Sequence, residues 1–335
     1  MENQDNNIQE LDVQEETDVQ KNESEEIRDP ENDNEYRARS SHYRTKRKSS
    51  EKDRKKRIIY LSCLILFILI LAGSAIGIIN YYSDTWQIRQ GQNELDELLE
   101  RFPTFTPPSF FTPAPAPTSD VPDDYTPGAS TPEPTEPPIF EPYEEILKIN
   151  RDFVGWIRVD NADVNYPIMQ TTNNEYYLTH TYKRQNNTRG SIYMDYRNNK
   201  NLQDRLTIIY GHNPHDGTML HTFVDKYKDY NFWKNNRYIY INSLNHQYIY
   251  EVFCAMVVNV EDQDADDYFY YLYTNLPSDE DFLNFIAACN SRSMYQTDLE
   301  ITPNDKIVTI STCTYEGGYY GKYRFVVMCK MVGSD

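Results

Sequence analysis

Residues 307–316, IVTISTCTYE, and residues 323–330, YRFVVMCK, decide the fold of the C-terminal region. Both segments are rich in β-branched and aromatic residues, which predicts two closely spaced strands that close a sheet. They place Cys313 and Arg324 at facing strand ends. In the second strand, Arg324 shares one side with apolar residues, where a charge is costly unless it is paired or functional. The pair therefore marks a candidate reactive site.

The same alternating pattern recurs upstream of these two strands. In all, eight segments are predicted to be strands: FVGWIRV, VNYPIM, GSIYMDY, LTIIYGH, YIYINS, QYIYEVFCAMVV, KIVTIST and YRFVVMCKMV. Helices are predicted at EPYEEILKIN, around NNEYYLTH, at TMLHTFVDKYKD and at SDEDFLNFIAAC. Eight strands with short connections predict an all-β barrel with a few added helices.

A histidine completes the candidate site. His212 directly follows the apolar strand LTIIYG, where a rigid element can aim a side chain. The other histidines of this region, His180, His215, His221 and His246, are expected to be loop or surface residues. A thiolate can attack a carbonyl, an imidazole can move the proton, and a fixed cation can stabilise the developing negative charge. Cys313, His212 and Arg324 are therefore the predicted catalytic residues of an acyl-transfer reaction.

The order and local sequences of these residues resemble a class B sortase. In that family the thiol closes a TLxTC-like strand, read here as Ile310-Ser311-Thr312-Cys313, which departs from the pattern in its first residues. The resemblance also includes FVGWIRVDNADVNYPIMQ and GSIYMDYRN, and covers residues 141 to 333. It implies a sortase-type β-barrel with a helix before the penultimate strand.

The resemblance also implies a mechanism. Cys313 would cleave a C-terminal sorting signal through a thioester, His212 would move the protons, and Arg324 would bind substrate and steady the oxyanion. Ser311, Thr312 and Thr314 are expected to contact the substrate, Thr314 through its backbone N–H. The acceptor would be a peptidoglycan cross-bridge or stem amine, or a pilin lysine. A thiol hydrolase and a non-enzymatic wall-interaction protein are the alternatives, and the second would not require all three reactive residues.

The segment before the barrel carries a predicted membrane anchor. Residues 58–79 contain no charge, and as a helix they would rise about 33 Å, enough to cross a hydrocarbon core of about 30 Å. The basic cluster at residues 37–57 lies on the N-terminal side only. The positive-inside rule then predicts a cytoplasmic N-terminus and an extracellular catalytic domain on a single-pass cell-membrane protein.

Four regions follow from these composition changes. Residues 1–57 are expected to be a disordered cytoplasmic tail, acidic and then basic. Residues 58–79 are the transmembrane helix, and residues 80–140 a juxtamembrane helix and a Pro-rich linker. Residues 141–335 form the catalytic domain, so a fragment that begins near Pro138 is expected to fold and act alone.

The charge distribution and the cysteine spacing limit the kinds of binding partner and cross-link that are expected. The net charge is −19, but residues 146–335 contribute only about −5, and nothing in this region favours nucleic-acid binding. The expected partners are secreted proteins with a sorting signal, a wall or pilin amine, and the membrane. Five irregularly spaced cysteines argue against a disulfide framework. No metal site or cofactor is expected, although the acidic residues 262–267 could hold calcium weakly.

Overall fold

The structure, a computed structural model, describes residues 30–100, 137–260, 270–316 and 319–334. Several expectations lie outside the described residues: most of the acidic tail, most of the Pro-rich linker, and the acidic segment at 262–267. The chain divides into two compact units, residues 1–75 and residues 76–335.

Helix α1, Pro30–Glu100, runs through both units. It includes residues 30–57, which the sequence analysis expects to be disordered. This stretch contains no proline after Pro30 and no glycine, and its Lys, Arg and Glu residues are good helix formers. Ion pairs at helical spacing, Arg39 to Glu35 at 3.1 Å and Lys55 to Glu51 at 3.6 Å, are consistent with the helix.

The apolar part of α1 is fully exposed in the N-terminal unit. The most apolar 18-residue window of this helix has a mean hydropathy of 2.7, and none of it is buried. Leu64 and Phe67 are both more than half exposed. Within the described part of the chain, α1 is the one helix long and apolar enough to cross a membrane.

The C-terminal unit is built on a closed barrel of eight strands. Their bounds are β1 Phe153–Val159, β2 Val164–Met169, β3 Ile192–Met194, β4 Leu206–Tyr210, β5 Tyr238–Asn242, β6 Gln247–Asn259, β7 Ile307–Glu316 and β8 Tyr319–Ser334. The order around the barrel is β1-β2-β3-β4-β7-β8-β6-β5, and β5 pairs with β1 to close it. The predicted eight-stranded barrel is confirmed.

Two of the strand pairs are parallel, β2 with β3 and β4 with β7. The other pairs are antiparallel. The parallel pairing of β4 with β7 brings together two strands about a hundred residues apart. Both strands run in one direction, so their C-terminal ends lie side by side.

The strands have apolar residues on both faces. The interior of the barrel contains Val308, Ile310, Phe325 and Val327. The outer face of β6, β7 and β8 forms a second cluster that includes Met256, Val326 and Met328. Helix α5, Asp279–Arg292, covers this second cluster with four buried side chains: Phe282, Phe285, Ile286 and Cys289. Its N-cap, Ser278, accepts a hydrogen bond from the Asp281 N–H at 3.0 Å.

The remaining helices are short. They are α2 Glu141–Ile149, α3 His221–Tyr227 and α4 Tyr230–Asn235, with 3-10 turns at Tyr176–Leu178 and Tyr270–Leu272. Helix α2 buries Tyr143 and Ile146 against β1.

The C-terminal part of α1 packs against the barrel. Leu95 is 2% exposed and lies in the same apolar cluster as α2, while Ile88 reaches the barrel cluster. Gln92 donates to the Asn165 carbonyl, and Asn187 donates to the Asp84 carbonyl at 3.0 Å. From the sequence, these residues are expected to be a juxtamembrane segment, with the catalytic domain beginning at Glu141. In the structure the folded unit extends upstream and includes them.

Candidate active site

The thiol and the guanidinium are paired across two neighbouring strands. Cys313 on β7 lies directly opposite Arg324 on β8 in an antiparallel register. Opposed residues project to the same face of a sheet, with Cβ atoms about 4.5–5.5 Å apart. The Cys313 thiol is free and partly exposed. The sequence predicts this pair at strand ends, but β7 continues to Glu316 and β8 begins at Tyr319, so the nucleophile and the cation lie side by side within a hairpin.

Arg324 is oriented by its own strand. Its Nη1 donates to the carbonyl oxygens of Gly321 and Tyr323, the second at 3.2 Å. Gly321 has a φ of +95°, which a residue with a Cβ adopts only under strain, so glycine suits this bend. In the described part of the chain no carboxylate forms an ion pair with Arg324. Its charge is therefore available to a bound group.

His212 lies just past the end of β4, the strand that neighbours β7. Tyr210 pairs with Ser311, and the Gly211 N–H donates to the Ser311 carbonyl at 3.2 Å. His212 thus lies two residues past Tyr210, just as Cys313 lies two residues past Ser311. A Cβ at Gly211 would collide with the Ile192 Cδ1 atom, so a larger residue directly before the histidine would displace that side chain.

The His212 ring is held by a backbone carbonyl. Its Nε2 lies 2.9 Å from the Leu178 carbonyl oxygen, which can only accept. Neutral His212 therefore carries its proton on Nε2, and Nδ1 is the basic nitrogen. Burial lowers the pKa of His212 and the charges of Arg189 and Arg324 lower it further, outweighing the opposing effect of the Leu178 hydrogen bond. The neutral imidazole is thus the favoured form at neutral pH.

The three predicted substrate-contact residues do not share one face. Ser311 lies on the face of Cys313, but it is 2% exposed and its hydroxyl bonds to that of Tyr270. Thr312 and Thr314 alternate onto the barrel interior, and both are buried. The Thr314 hydroxyl accepts from Lys228 at 2.9 Å, and the Thr312 hydroxyl has no partner among the described residues. The structure does not bring these two threonine side chains to the thiol.

Sequence reasoning missed a group of tyrosines on this outer face. Tyr193 pairs with Tyr210, with ring centroids 5.3 Å apart, and the Tyr210 hydroxyl donates to Asp195 at 3.0 Å. Burial raises the pKa of Tyr270 to about 12, so its hydroxyl remains protonated. The signal was present in GSIYMDYRN, which supplies both Tyr193 and Asp195.

Asp195 is the fixed acceptor of this group. Its side chain is fully buried and forms an ion pair with Arg197 at 2.8 Å. Burial raises its pKa, but hydrogen bonds from Arg197 and Asn174 lower it more, so the pKa lies below its ordinary value. Asp195, ionised at neutral pH, therefore orients the Tyr210 hydroxyl.

The loop at residues 212–220, here named the His-loop, is tied to helix α1. Asp216 in this loop forms a buried ion pair with Arg189 at 2.8 Å and accepts from the Thr85 hydroxyl at 2.6 Å. Although burial raises the pKa of Asp216, hydrogen bonds from Thr218, Thr85 and Arg189 hold it well below its usual range. Arg189 also lies over the Tyr81 ring, 4.5 Å from its centroid. The loop carrying His212 is thus anchored by the segment before the barrel.

Comparisons with known proteins agree with this geometry. A family model described as a sortase domain matches residues 157–332, which include His212, Cys313 and Arg324. Sortase B of Listeria monocytogenes is 35% identical over 190 residues, or 56% of this chain and 73% of that protein. The chain belongs to the class B sortases.

Solved sortase structures share its barrel. A Staphylococcus aureus sortase B–substrate complex is 31% identical, with a TM-score of 0.51, and the match covers 58% of this chain and 86% of that one. A sortase B complexed with triglycine is 30% identical, with a TM-score of 0.51 and coverage of 57% and 85%. As a sortase, the chain is a cysteine transpeptidase. In the described part of this sortase no group of three or more His, Cys, Asp or Glu residues could hold a metal ion.

Proposed function

We propose that the chain cleaves a C-terminal sorting signal at Cys313 and transfers the cleaved protein to an amine. The observation that carries the proposal is the direct pairing of Cys313 with Arg324 on strands whose neighbour, β4, delivers His212. A candidate nucleophile, a cation and a proton carrier thus lie on three neighbouring segments of the barrel.

The first half of the reaction forms a thioester. The Cys313 thiolate attacks the scissile carbonyl, and the resulting oxyanion is stabilised by charge-assisted hydrogen bonds from Arg324. When the C–N bond breaks, protonated His212 gives its proton to the departing amine. The acyl group remains on Cys313, and the C-terminal fragment leaves.

The second half resolves the thioester. Neutral His212 takes a proton from the incoming amine, which attacks the thioester carbonyl and forms a new amide bond. The thiolate leaves and the imidazolium is restored. Both protonation states of His212 are needed in turn. Because its pKa is lowered, the imidazolium required for the first half is scarce at neutral pH, so we expect slow turnover.

The substrates follow from the relatives. One sortase B was solved with substrate and another with triglycine, a peptide with a free amine. The resemblance to sortases implies a sorting signal of the broad form (L/N/S)Px(T)(G/N/S) as donor. A peptidoglycan cross-bridge or stem amine is the favoured acceptor, and a pilin lysine is the alternative.

Helix α1 supports a place at the cell membrane. Residues 58–79 are apolar, and those among them in the N-terminal unit are exposed along their length. With basic residues only on the N-terminal side, the helix would cross once and leave the barrel outside. Residues 101–140 contain most of the prolines of the chain and would act as a spacer.

One experiment separates transfer from hydrolysis. The full chain in detergent is incubated with fluorescent signal peptides and rising triglycine or diaminopimelate peptide, and both products are quantified. Transfer predicts an amide product that grows with amine concentration at the expense of the hydrolysis product. A thioester on Cys313 should be visible by mass spectrometry, absent in Cys313→Ala and retained in the matched thiol control Cys63→Ala. A constant hydrolysis product with no amide would identify a thiol hydrolase instead.

A further inference from the structure

The side chain of Asn213 continues a backbone ladder that the His-loop interrupts. Between β4 and β7, the last backbone bond runs from the Gly211 N–H to the Ser311 carbonyl at 3.2 Å. In a parallel pair the next acceptor lies two residues further on, at Cys313. The chain has left the sheet by then, and the Asn213 Nδ2 donates to the Cys313 carbonyl at 2.9 Å instead.

The other end of the Asn213 amide is also fixed. Its Oδ1 lies 2.8 Å from Nδ1 of His221, the first residue of α3. Because the Cys313 carbonyl can only accept, the amide nitrogen must face it, and His221 must then carry a proton on Nδ1. Asn213 is 3% exposed, so both bonds are shielded from water. It links the nucleophile strand to the two ends of the His-loop.

The loop itself is short and closed. The Leu220 N–H donates to the His212 carbonyl at 3.0 Å, which brings the start of α3 beside the histidine. Around His221, Asp225 Oδ2 lies 3.7 Å from Nε2, and the His215 ring centroid lies 5.9 Å away. His221 is thus held on a short helix beside the loop, and Asn213 connects this helix to the Cys313 carbonyl.

We propose that Asn213 is a positioning residue that sets the Cys313 peptide against His212, with His221 as its support. This inference rests on the proposed function. The Cys313 carbonyl belongs to the same planar peptide as the Thr314 N–H, so fixing one group fixes the other. The N–H points the other way, to β8, where Thr314 pairs with Tyr323, so Asn213 and β8 hold this peptide from opposite sides. Asn213 therefore acts on the geometry of acylation and not on the reactivity of the thiol itself.

The test compares peptide cleavage with alkylation of Cys313 by iodoacetamide, a small reagent that needs only the thiol. In Asn213→Ala we expect kcat for cleavage to fall about 10- to 100-fold, as for a displacement of about 1 Å. KM and the alkylation rate should remain within about threefold of the parent, because neither depends on the oxyanion geometry. His221→Leu should lower kcat in the same way, whereas His221→Gln, which retains an N–H donor, should restore most of it.

Asn198 offers a matched control. It is also a buried asparagine that bonds to the edge of β4, donating to the Leu206 carbonyl at 2.7 Å and accepting from the Ile208 N–H at 2.9 Å. It lies at the opposite end of that strand from His212. Asn198→Ala should lower the melting temperature but leave the ratio of the cleavage rate to the alkylation rate unchanged.

Three outcomes would overturn the inference. They are unchanged cleavage in Asn213→Ala, an equal loss of cleavage and alkylation, or a His221→Gln variant no better than His221→Leu. A parent protein that cleaves no signal peptide would instead refute the proposed function, and the inference with it. Cleavage of the signal peptide by the parent protein therefore distinguishes a failure of the inference from a failure of the proposed function.

Discussion

Leu95→Ala tests whether the end of helix α1 belongs to the folded catalytic unit. Leu95 is 2% exposed and lies in an apolar cluster with residues of α2 and β1. Truncating a buried leucine to alanine costs about 2–5 kcal/mol, the removed apolar contacts plus the cavity that remains. Domains are stable by only about 5–15 kcal/mol, so this change is a large fraction of the total.

The expected shift can be measured by calorimetry. For a unit of this size, about 1 kcal/mol moves Tm by roughly 2–4 °C, which gives a loss of about 10 °C for Leu95→Ala. Glu97→Ala is the matched control, since Glu97 is exposed on the same helix, and should change stability by less than about 0.5 kcal/mol. If the Tm of Leu95→Ala equals that of the parent, the helix is not packed against the barrel and the reasoning fails. We also expect a fragment of residues 81–335 to be more stable than a fragment of residues 138–335. Equal stability of the two fragments would contradict the packing of the helix.

The remaining predictions concern the site and the anchor. Because burial lowers the pKa of His212, its NMR titration midpoint should lie below the ordinary value of about 6.5; an ordinary or raised midpoint would refute this. The unfolded chain binds a proton at His212 more readily than the folded chain does. The contribution of neutral His212 to stability is therefore present above the ordinary histidine pKa and is lost as the pH falls through the lowered pKa of the folded state. Arg324→Lys should lower kcat about 100-fold, because an ammonium cannot reproduce the planar fork; near-normal turnover would make Arg324 only an electrostatic neighbour. Protease added to intact protoplasts should remove the barrel and spare residues 1–57, and digestion of that tail would reverse the proposed topology.

The barrel could be predicted from sequence because its signal is local. Alternation of apolar and polar residues marks each strand, and short turns leave few ways to join neighbours. The pairing of Cys313 with Arg324 was also within reach, since only ten residues separate them and they belong to two consecutive predicted strands. The position of His212 followed from the end of the apolar strand before it.

The contacts of helix α1 could not be predicted in this way. Thr85 and Asp216 are 131 residues apart, and neither carries a local pattern that identifies the other. The leucines of this helix do indicate an apolar side, but a stripe of leucines does not say what it packs against. The long separation by a Pro-rich segment made an independent linker the natural interpretation.

The threonines beside Cys313 show a signal that was present but not used. Residues 308 and 310 are apolar and face the barrel interior, so period-two alternation places Thr312 and Thr314 on that side as well. Proximity in sequence to the nucleophile suggested substrate contact, yet a strand sends alternate side chains in opposite directions. Ser311 shares the face of Cys313, and any contact from Thr312 or Thr314 to substrate would have to be made by the backbone. We therefore propose Arg324 as the group on β7 and β8 that stabilises the oxyanion. Under the proposed role of Asn213, the orientation of the Cys313–Thr314 peptide, which Asn213 restrains, is a determinant of the reaction rate.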